Sequence, residues 1–133
     1  MEMVINSKKF NATWYLLLVT YAITTIVIGL DKCFGWWLVD WAQYVSPMIM
    51  AYIPLSVVNF VIVTGVIEIV AGIVLFIRPR FGAYLVVAWM LLVVIDLLSM
   101  NKYYDIIARD VVIGIGALAF AWLTEIKETA RSR

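Results

Sequence analysis

Histidine is absent from this chain of 133 residues, and cysteine occurs once, at Cys33. Without an imidazole there is no histidine base, no His-ligated haem and none of the usual zinc sites. A single thiol cannot close an intramolecular disulfide or form a CxxC redox pair. Charge is scarce too: 14% of the residues are Asp, Glu, Lys or Arg, and the formal net charge is +1. So small a balance argues against nucleic acid as a partner. Proline occurs three times, at Pro47, Pro54 and Pro79, and none interrupts a long apolar run. What remains is hydrophobic. Apolar residues make up 65% of the chain and the mean hydropathy is +1.02, outside the range of soluble globular domains.

Four runs are long enough to cross a hydrocarbon core, which takes about 20 residues. They cover about 12–30, 57–77, 82–98 and 109–124, within a single domain over 1–133. Backbone groups in lipid must be satisfied internally, so each run is predicted to be a helix. The fold class is therefore all-α, a bundle of four transmembrane helices. The first run is too long for a signal peptide's apolar region and lacks a small-x-small cleavage pattern, so it reads as a retained span. Between the first two spans lies an aromatic segment with Trp36, Trp37, Trp41, Tyr44 and Tyr52, where an interfacial helix is expected over about Trp36–Val45.

Basic residues set the expected orientation. With both termini in the cytoplasm, the inner side collects Lys8, Lys9, Arg78, Arg80, Lys127, Arg131 and Arg133, against Lys32, Lys102 and Arg109 outside. Trp14, Tyr15 and Trp122 then fall near the inner interface, and Lys127 to Arg133 form a solvated tail.

Glu68 interrupts the second span. An ionisable group at mid-bilayer costs about 2.5–3.5 kcal/mol on insertion scales and needs a partner or a use. Lys32, Asp96, Arg109 and Asp110 lie at span ends on the outer side and complete a candidate buried polar cluster with it. Arg109 is the expected partner of Glu68, because a guanidinium can hold a carboxylate bidentately. Helical spacing puts Val61, Thr64, Gly65, Glu68, Ala71 and Gly72 on one face, and Asp110, Gly114, Ala117 and Ala121 on another. Tyr21, Thr24, Thr25, Ile28, Asp31 and Lys32 share a face of the first span, and Leu85, Trp89, Leu92 and Asp96 one of the third. Small residues on such faces let helices approach. Tyr21, Thr25, Thr64 and Trp89 are candidates to line a ligand cavity; no metal site is expected. The cluster can serve to lock the bundle, or to bind a head group or move protons.

The order of these features resembles the DoxX-like family of small four-helix bacterial membrane proteins. The resemblance is carried by Gly29-Leu30-Asp31-Lys32, by Gly65 to Gly72 around Glu68, by Arg78-Pro79-Arg80-Phe81-Gly82-Ala83-Tyr84, and by Ala108-Arg109-Asp110. It implies a multi-pass protein of the bacterial cytoplasmic membrane and an accessory or anchor subunit of a redox- or quinone-linked complex. It also turns attention to Lys32, Glu68, Arg109 and Asp110. A quinone or lipid would be held without a covalent bond, and the chain is not expected to be an enzyme on its own. Partners are the bilayer and either further copies of the chain or other membrane subunits. The alternatives are a small proton-coupled transporter using Glu68 and a self-assembling structural protein.

The orientation is open to a direct test. In a Cys33→Ser background, Asn101→Cys should react with an impermeant maleimide on intact cells, and Ser132→Cys only after permeabilisation. The opposite pattern would invert the topology.

Overall fold

The computed structural model describes residues 7–35 and 40–131. Its elements are α1 (Lys8–Phe34), a single 3₁₀ turn (Trp41–Tyr44), α2 (Pro47–Met50), α3 (Val57–Ile77), α4 (Pro79–Ser99) and α5 (Tyr104–Arg131). No strand occurs among the described residues. The four long helices α1, α3, α4 and α5 are each apolar and long enough to cross a membrane. They form a four-helix transmembrane bundle, as the composition requires.

Local chemistry sets the ends. The Ser7 hydroxyl accepts from Phe10 N at 3.0 Å and the Ser56 hydroxyl from Asn59 N at 3.2 Å, each satisfying a first-turn amide of the following helix. Gly35, at φ 65°, closes α1 in the left-handed conformation that glycine adopts without a Cβ penalty. Arg78 is the only residue between α3 and α4, and Pro79 opens α4, where its missing amide costs nothing. α3 coincides with the expected span. α1 and α5 run beyond theirs at both ends, because helix persists in the interface where hydropathy has already fallen. α4 gains the hairpin residues Pro79–Phe81.

The expected continuous helix over Trp36–Val45 is not what the loop adopts where it is described. Trp36 and Trp37 lie outside the described residues, and helix is present as the 3₁₀ turn Trp41–Tyr44 and the separate turn α2. Asp40 caps the first by accepting from Ala42 N, while Pro47 starts the second. The Ser46 amide is engaged elsewhere, by Asp96, which breaks the run between them.

Neighbouring helices are antiparallel, so the start of α1 and the finish of α5 lie at one end of the bundle (the termini end) and the 40–56 segment caps the other (the loop end). α1 crosses α3 most closely where Gly29 meets Gly65: a Cβ at Gly29 would stand 2.5 Å from the Gly65 carbonyl oxygen, and one at Gly65 2.7 Å from that of Gly29. Toward the termini end, Trp14, Leu18, Ala22, Leu75, Ala83, Val86, Ala117, Phe120 and Ala121 form the core. The buried face of α3 is the expected one, Gly65, Glu68, Ala71 and Gly72, with Leu75 added. Asp110, Ala117 and Ala121 of α5 are likewise buried. On α1 the buried line is Trp14, Leu18, Ala22 and Gly29; of the expected face Asp31 is buried as well, and Thr24 is exposed. On α4 it is Gly82, Ala83, Val86 and Leu97, leaving Leu92 outside. Neighbours from α5 as well as α3 set these faces: Trp14 is buried against Thr124 and Phe120 of α5.

Two expectations for the termini end change. Trp14 is not a lipid-facing anchor but is buried, donating from Nε1 to Thr124 Oγ1 at 2.9 Å. Lys127 is not part of a solvated tail: it is 3% exposed, with its ammonium 3.6 Å from the Trp14 ring centre. One helical turn of α5 beyond the apolar run brings it there. Tyr15 and Trp122 remain exposed.

Gly29→Ala should lower stability by about 1–3 kcal/mol, the usual cost of forcing extra volume into a tight contact. Thermal unfolding in detergent, with Ala12→Gly on the exposed face of α1 as control, would check it. An unchanged midpoint would mean that the α1–α3 crossing is looser than this.

Candidate functional site

Glu68 lies eleven residues into α3, roughly 16 Å from the start of that helix at 1.5 Å per residue. Its side chain is 7% exposed and Lys32 reaches it, Nζ to Oε1 at 2.7 Å. The Trp89 indole donates to the same oxygen at 2.8 Å. Three helices, α1, α3 and α4, therefore converge on one carboxylate oxygen. Oε2 is buried and has no hydrogen-bond partner among the described residues.

Lys32, not Arg109, is thus the partner of Glu68. The reason lies in the backbones: the Gly29–Gly65 crossing brings the Lys32 Cβ next to Gly65, one turn above Glu68 on the same face of α3. Arg109 is mostly exposed and pairs with its neighbour, with Nε and Nη2 each 3.1 Å from Asp110 Oδ1. Asp110 itself is buried.

Above this node the 40–56 segment is tied down over the loop end. The Trp41 indole donates to Asp31 Oδ2 at 2.6 Å, and Asp31 is 1% exposed. The Ser46 amide donates to Asp96 Oδ1 at 2.9 Å, and the Ser99 hydroxyl bonds to that of Ser46 at 2.7 Å. Tyr44 packs edge-on against Tyr103, with ring centres 5.0 Å apart. Tyr103 holds φ at 64°, an unusual conformation for a bulky residue, in the turn that leads into α5.

Between the strap and the helices lies a partly enclosed cavity of about 450 Å³. Its polar wall is Lys32, Asp96, Arg109 and Asp110, with Thr64 beside them; its aromatic wall is Trp41, Tyr44, Phe60 and Trp89. Aliphatic side chains from α3, α4 and α5 complete it. A volume of this size suits a small ligand or a head group, and an apolar pocket with a few convergent polar groups is the usual form of a ligand site.

Of the residues singled out from sequence, Lys32, Asp96, Arg109, Asp110, Thr64 and Trp89 come together around this cavity, with Glu68 bonded behind two of them. Tyr21 and Thr25 do not join them. The Tyr21 hydroxyl donates to Ile113 O at 2.9 Å and clamps α1 to α5, and Thr25 bonds back to the Tyr21 carbonyl at 2.6 Å. Ser46, and the partners that Trp41 and Tyr44 take, were not anticipated. Their pairs with Asp31, Tyr103 and Asp96 join distant parts of the chain, and no local spacing encodes them. No metal-ligating cluster of three or more His, Cys, Asp or Glu residues occurs among the described residues.

No protein-family model, curated protein or solved structure matches the chain. The site is therefore read from its own geometry.

Removing one partner of a buried ion pair leaves the other charge uncompensated, at a cost of about 3–5 kcal/mol. Lys32→Met should destabilise the bundle by that order. Adding Glu68→Gln, whose carbonyl still accepts from Trp89, should restore most of it. A double-mutant cycle on unfolding free energies in detergent measures the coupling. Additive effects would show that the pair contributes no net interaction.

Proposed function

We propose that the chain is an integral membrane accessory or anchor subunit whose loop-end cavity holds the polar head of an amphiphile drawn from the bilayer. One observation carries this reading: a cavity of about 450 Å³ combines charged and indole groups with an apolar wall, at the end of a bundle that lipid must surround. A bundle that needed only to lock its helices would fill such a space with side chains, since interiors are close-packed. The resemblance to DoxX-like proteins supports a bacterial cytoplasmic membrane, with both termini inside, and a redox- or quinone-linked complex as the assembly to look for. Self-association, or association with other membrane subunits, completes the proposal.

A second reading is favoured by Glu68 Oε2, a buried carboxylate oxygen that no described side chain engages. Such a group in a membrane is by default a candidate for ion or proton traffic. A proton-coupled transporter built on Glu68 would show flux in proteoliposomes that follows an imposed pH gradient and is abolished in Glu68→Gln.

Native mass spectrometry after mild extraction from the source membrane tests the main proposal. The expected result is a complex that carries a second subunit and a bound amphiphile, with the amphiphile lost in Trp89→Ala. A bare homo-oligomer without any bound small molecule would overturn it.

A further inference from the structure

We propose that the loop-end cavity seats an organic ammonium head carried on an apolar stem, with Asp96 as its counter-ion. The inference rests on the reading of this cavity as an amphiphile site and adds the charge of the head.

The polar wall decides the sign. Two cations face the cavity, and each is already matched: Lys32 with Glu68 at 2.7 Å, Arg109 with Asp110 at 3.1 Å. Asp96 has no such match. Its Oδ1 accepts one backbone N–H, from Ser46, and no lysine or arginine among the described residues comes within 4.0 Å of it. The surroundings lean the same way, since residues 31–40, Glu68 and residues 96–110 together contain six carboxylates and three basic side chains. An anionic head would meet spare carboxylate, while both cations that line the cavity are already paired. A neutral head that only accepts hydrogen bonds would compete with those carboxylates for the same donors. An ammonium supplies both the missing charge and the missing donors, and charge-assisted hydrogen bonds to a carboxylate are the strong ones.

The aromatic wall fits the same occupant. Trp41, Tyr44 and Trp89 border the cavity, and aromatic faces attract ammonium groups within about 6 Å of the ring centre. The protein uses this chemistry with its own side chains. Lys32 Nζ stands 5.0 Å from the Trp41 ring centre, and Lys127 Nζ lies 3.6 Å from that of Trp14 at the opposite end. The stem also has a route. Leu92 and Ile95 belong to the cavity wall yet are 58% and 52% exposed on the outer surface of α4, so the wall is continuous with the lipid-facing side.

The test uses the full chain in dodecyl maltoside with three photoactivatable twelve-carbon probes that differ only in the head: ammonium, hydroxyl and sulfate. Cross-linked peptides are mapped by mass spectrometry. The expected result is labelling of the 41–49 and 89–96 segments by the ammonium probe, at least about tenfold above the other two, a difference of about 1.4 kcal/mol in binding. Asp96→Asn keeps an acceptor for Ser46 and should reduce that labelling about tenfold. Should that variant unfold, Tyr44→Leu serves instead, with a several-fold loss expected. Competition by phosphatidylethanolamine, with phosphatidylglycerol inert, would assign the head to a lipid. Competition by soluble dodecylamine alone would assign it to a free amine, and either result supports the proposal. Equal or stronger labelling of the same segments by the hydroxyl or sulfate probe would overturn the ammonium assignment and leave the amphiphile reading standing. Failure of all three probes to label the cavity would remove both.

Discussion

The arrangement of this bundle depends on how one carboxylate is neutralised inside a membrane. Glu68 sits where water cannot solvate it, and a lone charge there is untenable. The Lys32 ammonium at 2.7 Å and the Trp89 indole at 2.8 Å answer it from two different helices. Of the two, the ammonium matters more. Hydrogen bonds between transmembrane helices average only about 0.6 kcal/mol, whereas an uncompensated buried charge costs several times that. The pair therefore selects the register of α1 against α3, and the indole orients α4 on the same point.

That choice can be made only if the backbones come close. Gly29 and Gly65 give the approach, with Lys32 one turn along α1 and Glu68 one turn along α3. The same logic runs toward the termini end in apolar form, through Ala22 against Gly72 and Gly82 against Leu75. There a second ammonium, Lys127, is received by the Trp14 ring, while Arg80 and Tyr84 tie α4 to Glu125 of α5. The two ends contrast. The interior of the termini end is packed by Trp14, Leu75 and Phe120, with an open surface pocket of about 470 Å³ at the Arg78–Phe81 hairpin. The loop end holds a more enclosed cavity of about 450 Å³ under the 40–56 segment, whose ties to Asp31 and Asp96 are polar.

Much of this was legible in the residues. Four apolar runs, the small-residue face of α3 and the inward direction of Glu68 follow from composition and from a period of 3.6 residues. So does the convergence of Lys32, Asp96, Arg109 and Asp110 at one end, because alternating spans bring alternate loops together. The partner of Glu68 was not legible. Arg109 was the better hydrogen-bonding group on chemical grounds, but contact depends on which helix touches α3 and at what height. Trp14 and Lys127 were misplaced for a related reason: an aromatic or basic residue near a span end reads as interfacial until a neighbouring helix covers it. Tyr21 has the chemistry of a cavity residue, and its angular position spends that hydroxyl on the Ile113 carbonyl.

Composition and periodicity by themselves determined that this chain makes four transmembrane helices, with an ionisable residue buried within them. Hydrophobic length and the need to satisfy backbone groups in lipid are local properties, summed along the chain. Only the tertiary structure decided that Lys32 answers Glu68, that Asp96 forms no ion pair among the described residues, and that a cavity lies between them and the Trp41–Met50 segment. Those outcomes depend on distances of a few ångströms between helices far apart in sequence. Electrostatic pairing falls off over that same scale, so it is settled by packing and not by pattern.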